Sequence, residues 1–169
     1  MNAIDHAFSN PDISFLTQVK LQAQVLVPVL RALRERIGKQ AADQLVADAL
    51  RDWSREQFRR VAESSTGPKG DNWKSIWTVG FKKIGDGFEL DMLKDDEQSQ
   101  DFNVTRCPYA EFFRELDEPE LGALLLCEQD VHLADQVGGE DVIFDRTQTI
   151  MAGATHCDFR IRMQNKVDK

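Results

Sequence analysis

Cys107 stands where a thiol is most easily activated. It closes an alternating, strand-like segment, Pro108 follows at the first position of a helix over 109–116, and Glu111 falls near that helix's first turn. Backbone N–H groups and the dipole at a helix N-terminus favour the thiolate, the form that attacks carbon or binds metal, and Arg106 adds positive charge beside it. The competing expectation is a small buried hydrophobe at a strand-to-helix turn.

Two further groups share a helix expected over 120–137. Leu121, Leu124, Leu125, Glu128 and His132 form one stripe, so Glu128 emerges from an apolar face, where desolvation raises a carboxyl toward the range useful for general acid–base chemistry. Cys127 and Asp130 lie three apart on another face, flanked by Ala123 and Ala134. A charge in so apolar a helix needs a partner or a purpose, and a salt-bridged polar pair in the core is the plainer alternative. In the last strand, His156-Cys-Asp-Phe-Arg-Ile-Arg162, alternation places Cys157, Phe159 and Ile161 on the core side and His156, Asp158, Arg160 and Arg162 on the other.

Cys107, Cys127, Cys157, Asp130 and His156 are soft or borderline ligands, so a divalent metal is possible, although their spacing follows no compact zinc motif and no cofactor is otherwise expected. Neither a glycine-rich phosphate loop nor Gly-x-Ser-x-Gly occurs, which disfavours nucleotide-dependent transfer and α/β-hydrolase chemistry.

The elements that must position these groups divide into two parts. Val19, Ala23, Leu26, Leu30, Leu33 and Ile37 recur at helical spacing from near Ile13, with Asp12 as a possible cap, a kink expected about one turn before Pro28, and Gly38 as the stop. A second helix follows over 39–63, with Ala42, Val46, Ala49 and Trp53 on one face, giving an antiparallel pair over 12–63. Its arginines alternate with acids at helical spacing and read as a solvated face. Beyond the turn-rich segment 64–70, a short helix over 72–82 carries Trp73, Trp77 and Phe81. After Gly85 the period changes to two: strands over 88–92 and 102–107 around a polar loop at 94–100, then strands over 142–150 and 156–163, separated by helices. Residues 71–163 thus form a mixed strand and helix portion that carries the candidate site. The expected fold class is α+β: an N-terminal helical pair packed with a small, mainly antiparallel sheet and further helices, in one domain over residues 1–169.

Composition narrows the partners. With 29 acidic against 21 basic residues and a net charge of -8, the chain is poorly suited to bind a nucleic acid. No uncharged stretch approaches the roughly 20 apolar residues of a membrane span. Residues 1–12 lack a basic segment followed by an apolar one, so no secretory signal is expected and a cytoplasmic location is. Three dispersed cysteines without a Cys-x-x-Cys pair imply free thiols. The expected partner is a small-molecule substrate, with a homodimer possible.

Arg106-Cys-Pro-Tyr-Ala-Glu111, Cys127-Glu-Gln-Asp130 and Gly153-Ala-Thr-His-Cys-Asp-Phe-Arg160 resemble the ordered motifs of the L-2-amino-thiazoline-4-carboxylic acid hydrolase family. Val29-Leu-Arg-Ala-Leu33 through Ala49-Leu-Arg-Asp-Trp53 is similar to its helical region, and the resemblance covers about residues 15–163. It implies a cytosolic bacterial enzyme that opens the C–N bond of a cyclic amidine or isothiourea in a small carboxylated heterocycle. The architecture also resembles the small-ligand domains of the vinyl-reductase type. The family motif positions are Cys107, Cys127, Asp130 and Cys157, adjoined by Glu128, Asp158 and Arg160.

On this basis Cys107 is expected to attack the amidine carbon, with Glu128 or Asp130 protonating the departing nitrogen and Arg146 or Arg160 pairing with the substrate carboxylate. The competing readings are a metal held by the cysteines and Asp130 that activates water, and a non-catalytic pocket walled by Trp73, Trp77 and Phe81.

Overall fold

The computed structural model describes residues 13–64 and 87–164. The expected helix over 72–82, with Trp73, Trp77 and Phe81, lies outside the described residues. Helix α1 (Phe15–Ile37) is capped by Ser14, whose hydroxyl accepts the Thr17 amide at 3.2 Å; the expected cap, Asp12, lies outside the described residues. It runs through Pro28 as one helix and buries Val19, Ala23, Val27 and Leu30, while Leu26 and Ile37 of the expected stripe are exposed.

Gly38, at φ 84°, turns the chain directly into α2 (Lys39–Ser64), a conformation that suits glycine because no Cβ meets the carbonyl. A two-pronged Arg34–Asp43 pair, at 2.7 and 2.8 Å, clasps the corner. The buried face of α2 is rotated from the expected one. Ala42 and Ser54 are buried and Val46 and Phe58 pack on the core, whereas Ala49 and Trp53 are exposed. Arg59 and Arg60 pair with Glu56 on the solvated face. No described helix is long and apolar enough to cross a membrane.

The described strands form one antiparallel sheet in the order β1-β2-β4-β3, comprising β1 (Glu89–Asp95), β2 (Ser99–Arg106), β3 (Val142–Asp145) and β4 (Cys157–Met163). The polar run over 94–100 is a tight hairpin rather than a loop. The Asp96 carboxylate accepts the Gln98 and Ser99 amides at 2.9 and 2.8 Å, which lets β1 continue to Asp95 and β2 begin at Ser99. Phe102 of β2 lies opposite Phe159 of β4, their rings stacked at 4.9 Å, and Val104 lies opposite Cys157. This face and the α1 face share one core with the helices that follow β2. The fold is α+β, with an N-terminal helical pair and a four-stranded antiparallel sheet among the described residues.

Helix α3 (Pro108–Glu115) has proline at its first position and Glu111 in its first turn, as its sequence demands. The segment expected as a single helix over 120–137 is broken in register. A short α4 (Pro119–Gly122) leads into a π-helical turn at Ala123–Cys127, then α5 (Gln129–Leu133), a second π-turn at Ala134–Gly138 and a 3-10 turn at Gly139–Asp141. The Glu128 amide reaches back five residues to the Ala123 carbonyl at 3.1 Å, which widens the turn and advances the phase of everything after it.

Gly122 fixes where this segment sits. A Cβ there would meet Phe113 Cγ at 2.6 Å and Met151 Sδ at 2.7 Å. Gly122→Ala is therefore expected to cost roughly 1–3 kcal/mol through overpacking, read as a lower denaturation midpoint with an unchanged slope.

Candidate active site

The topology brings the three cysteines to one end of the sheet. Cys157 opens β4 opposite Val104, and only two residues separate Val104 from Cys107, the N-cap of α3. Cys127 ends the π-turn, and its carbonyl accepts Arg146, which directly follows β3. The charge-bearing groups of Cys107, Cys127, Cys157 and Asp130 lie near enough to influence one another's ionisation.

All three thiols are free. Cys107 departs from its expected state. Burial pushes its thiol up to about 11, and the amides of Ala110 and Tyr109 oppose this only in part, without closing a cap hydrogen bond. Arg106, expected to help, is instead forked onto Glu111 at 2.8 and 3.1 Å. The resting group is a neutral thiol, because desolvation by the surrounding core outweighs a helix N-terminus of only two turns. Burial likewise pushes Cys127 up to about 12, and raises Cys157, which is buried and accepts the Ile150 amide at 3.2 Å.

Asp130 is the titrating group of the cluster. Burial raises its carboxyl to about 6, against the pull of Arg146, which donates one Nη to it and the other to the Cys127 carbonyl at 2.8 Å. The Arg146 side chain is 10% exposed and its guanidinium lies over the Phe159 ring, 5.4 Å from the centroid. Arg146 is thus a strut between sheet and helix: both of its η nitrogens, expected to fork onto a substrate carboxylate, are engaged within the protein.

Arg160 is engaged in the same way. Its two η nitrogens donate to the carbonyls of Phe102 and Phe159 and to Asn103 Oδ1 at 2.8–3.0 Å, on the sheet face opposite Cys157. Asp158 accepts the Thr147 amide at 3.0 Å, the Thr147 hydroxyl at 2.6 Å and the Gln148 amide at 2.8 Å. Partial burial opposes its ionisation, but these bonds prevail and hold the carboxyl below its ordinary value. Asp158 therefore positions the stretch behind Arg146, and strand pairing of β3 stops at Asp145 because the next amides turn to this carboxylate.

Glu128 is not brought to the thiols. It is exposed on an open groove lined by Lys39, Asp43, Gln44 and Leu124, where partial burial raises its carboxyl. The π-turn moves it off the apolar stripe. His156 is tied to Gln148 and Thr155. No three His, Cys, Asp or Glu side chains among the described residues are grouped so as to hold a metal ion.

Sequence reasoning missed Tyr109. It is 8% exposed, packs edge-on against Phe15 and Phe88 at centroid distances of 6.0 and 5.2 Å, and has a buried hydroxyl with no hydrogen-bond partner among the described residues. A signal was present: it is the chain's one tyrosine, and it falls inside the Cys107-Pro-Tyr-Ala motif.

The model of the L-2-amino-thiazoline-4-carboxylic acid hydrolase family matches residues 18–161, a span that includes every residue of this cluster. No curated protein matches the chain. The chain belongs to the L-2-amino-thiazoline-4-carboxylic acid hydrolase family.

Proposed function

We propose that this protein is a hydrolase that opens the C–N bond of a cyclic amidine or isothiourea in a small carboxylated heterocycle such as L-2-amino-thiazoline-4-carboxylate. The observation that carries the reading is the placement of Asp130, raised to about 6, in the same cluster as the Cys107 thiol. A carboxyl with this value gives up and takes back a proton near neutral pH, the requirement of a general acid–base. The family match supports the reaction class.

The proposed sequence begins with a neutral thiol. A cyclic isothiourea is basic, and the positive charge of its protonated form beside Cys107 offsets the burial that keeps the thiol neutral. Asp130 takes the thiol proton while the sulfur electron pair forms a bond to the amidine carbon, and the C=N π pair moves onto nitrogen. The single bond from that carbon to the ring nitrogen then breaks, its electron pair leaving on that nitrogen, which receives a proton from Asp130, while the lone pair of the remaining nitrogen forms C=N. Water adds to the carbon still held by Cys107 as the C=N π pair returns to nitrogen, and Asp130 takes one water proton. That proton passes to the sulfur as the C–S bond to Cys107 breaks and C=O forms, and the hydroxyl proton goes to the freed ring amine. One water is consumed, and a ring-opened carbamoyl product and the free thiol remain. Cys127 and Cys157 line the same cluster, while Arg146 and Asp158 hold Asp130 and its surroundings in place.

The test is incubation of the purified protein with L-2-amino-thiazoline-4-carboxylate, followed by mass spectrometry. A product heavier by one water is expected, and no product sinks the reading. The pH profile checks the role of Asp130. With the carboxylate as the base in free enzyme, kcat/KM rises with pH up to about 6 and then levels, falling about tenfold per unit on the acid side. Asp130→Asn is expected to lose at least about a hundredfold in kcat and to lose that inflection. An unchanged profile in the variant removes Asp130 from the mechanism.

A further inference from the structure

The Tyr109 hydroxyl is a polar group that the fold buries and leaves unsatisfied. Its ring is held between Phe15 and Phe88, so the phenol cannot swing to solvent without breaking two edge-on contacts. Among the described residues the buried oxygen has no hydrogen-bond partner, an arrangement that destabilises a folded protein. Native structures seldom keep such a group unless water, an ion or a ligand completes it or it serves catalysis.

Its location says which ligand atoms. Tyr109 is two residues after Cys107, on the first turn of α3, and its hydroxyl lies within electrostatic reach of Cys107 and Asp130. Burial raises the phenol above its ordinary value, so it stays neutral and offers both an O–H donor and a lone-pair acceptor. A protonated amidine presents N–H donors, and the nitrogen that gains a lone pair when its carbon is attacked becomes an acceptor.

We propose that Tyr109 is a catalytic residue whose hydroxyl hydrogen-bonds a nitrogen on the carbon that Cys107 attacks. In the bound substrate the phenol oxygen accepts an amidine N–H. In the adduct the O–H donates to the nitrogen whose lone pair has grown. This assignment rests on the hydrolase reading for the identity of the reacting carbon; the binding it requires is testable without turnover.

The experiment compares wild type with Tyr109→Phe, which keeps the ring and removes only the hydroxyl. Thermal unfolding of the free variant is expected at a temperature equal to wild type or roughly 2–4 °C higher, because the unsatisfied group is gone. On L-2-amino-thiazoline-4-carboxylate, kcat/KM falls between about tenfold and about a hundredfold, the value of one hydrogen bond to a polar or charged group. A packing role would instead lower stability and leave kinetics in step with the folded fraction.

The same two proteins are titrated with 2-amino-2-thiazoline, an amidine probe without the carboxylate, following thermal stabilisation. Wild type is expected to be stabilised more than the variant. If wild type shows no turnover yet binds the probe through Tyr109, the hydrolase reading fails and the amidine contact stands. Equal stabilisation of both proteins by the probe, stabilisation of neither, wild-type kinetics in the variant, or loss of its fold each overturns the assignment.

Discussion

Cys107→Ser is expected to abolish turnover of L-2-amino-thiazoline-4-carboxylate, with kcat/KM lowered by at least about a thousandfold while the thermal transition stays within a few degrees of wild type. The size follows from chemistry. A serine hydroxyl in the same site is a far weaker nucleophile than a thiol that substrate and carboxylate together can deprotonate. The retained fold follows from structure: Cys107 is half-buried and its sulfur closes no cap hydrogen bond, so exchanging sulfur for oxygen breaks no contact of consequence. Full activity in the variant removes the nucleophile from the mechanism. Alkylation supplies a parallel reading. With the thiol pushed up to about 11, only about one molecule in ten thousand carries the thiolate at pH 7. Iodoacetamide therefore reacts slowly with resting protein at neutral pH, and its rate at Cys107 climbs about tenfold per pH unit until near 11, as followed by intact mass. Rapid labelling at pH 7 contradicts a buried neutral thiol.

Arg146→Ala is expected to be the most destabilising change at the site, costing roughly 3 kcal/mol at neutral pH and lowering the melting temperature by roughly 6–12 °C. Three losses coincide: Asp130 keeps a carboxylate with no counter-charge, the Cys127 carbonyl loses its donor, and the Phe144 and Phe159 rings lose the guanidinium lying over them. The deficit depends on pH with a definite sign. Asp130 already has its folded value raised above the ordinary carboxylate value, and removing Arg146 raises it further. A group raised on folding contributes stability that is complete below its unfolded value, near 4, and is lost as pH climbs through the folded value. The gap between variant and wild type is thus smaller at pH 4, where only the carbonyl and ring contacts are missed, and widens toward pH 7.5, as urea unfolding at the two pH values would measure. A variant as stable as wild type at pH 7.5 shows that the pair does not tie sheet to helix.

Much of this was legible without coordinates. The 3.6 period through Val19, Ala23 and Leu30 and the alternation through Phe102, Val104, Cys157, Phe159 and Ile161 are consequences of backbone geometry within one element, so the helical pair, the antiparallel strands and the strand-to-helix turn at Cys107-Pro108 follow from local sequence. The boundaries that failed, at the Asp96 hairpin and at the end of β3, failed where a side chain captured backbone amides that a strand pattern leaves unassigned. What only tertiary structure decided was the electrostatic state and partnership of each reactive group. Cys107 is a neutral thiol because elements distant in sequence desolvate it. Arg146 is a strut because the fold sets it against Asp130 and the Cys127 carbonyl, and Glu128 faces a groove because one π-turn shifts the helix phase. Periodicity reports which face of an element is buried, but ionisation and pairing depend on what that face is buried against, and that is decided where separate elements meet.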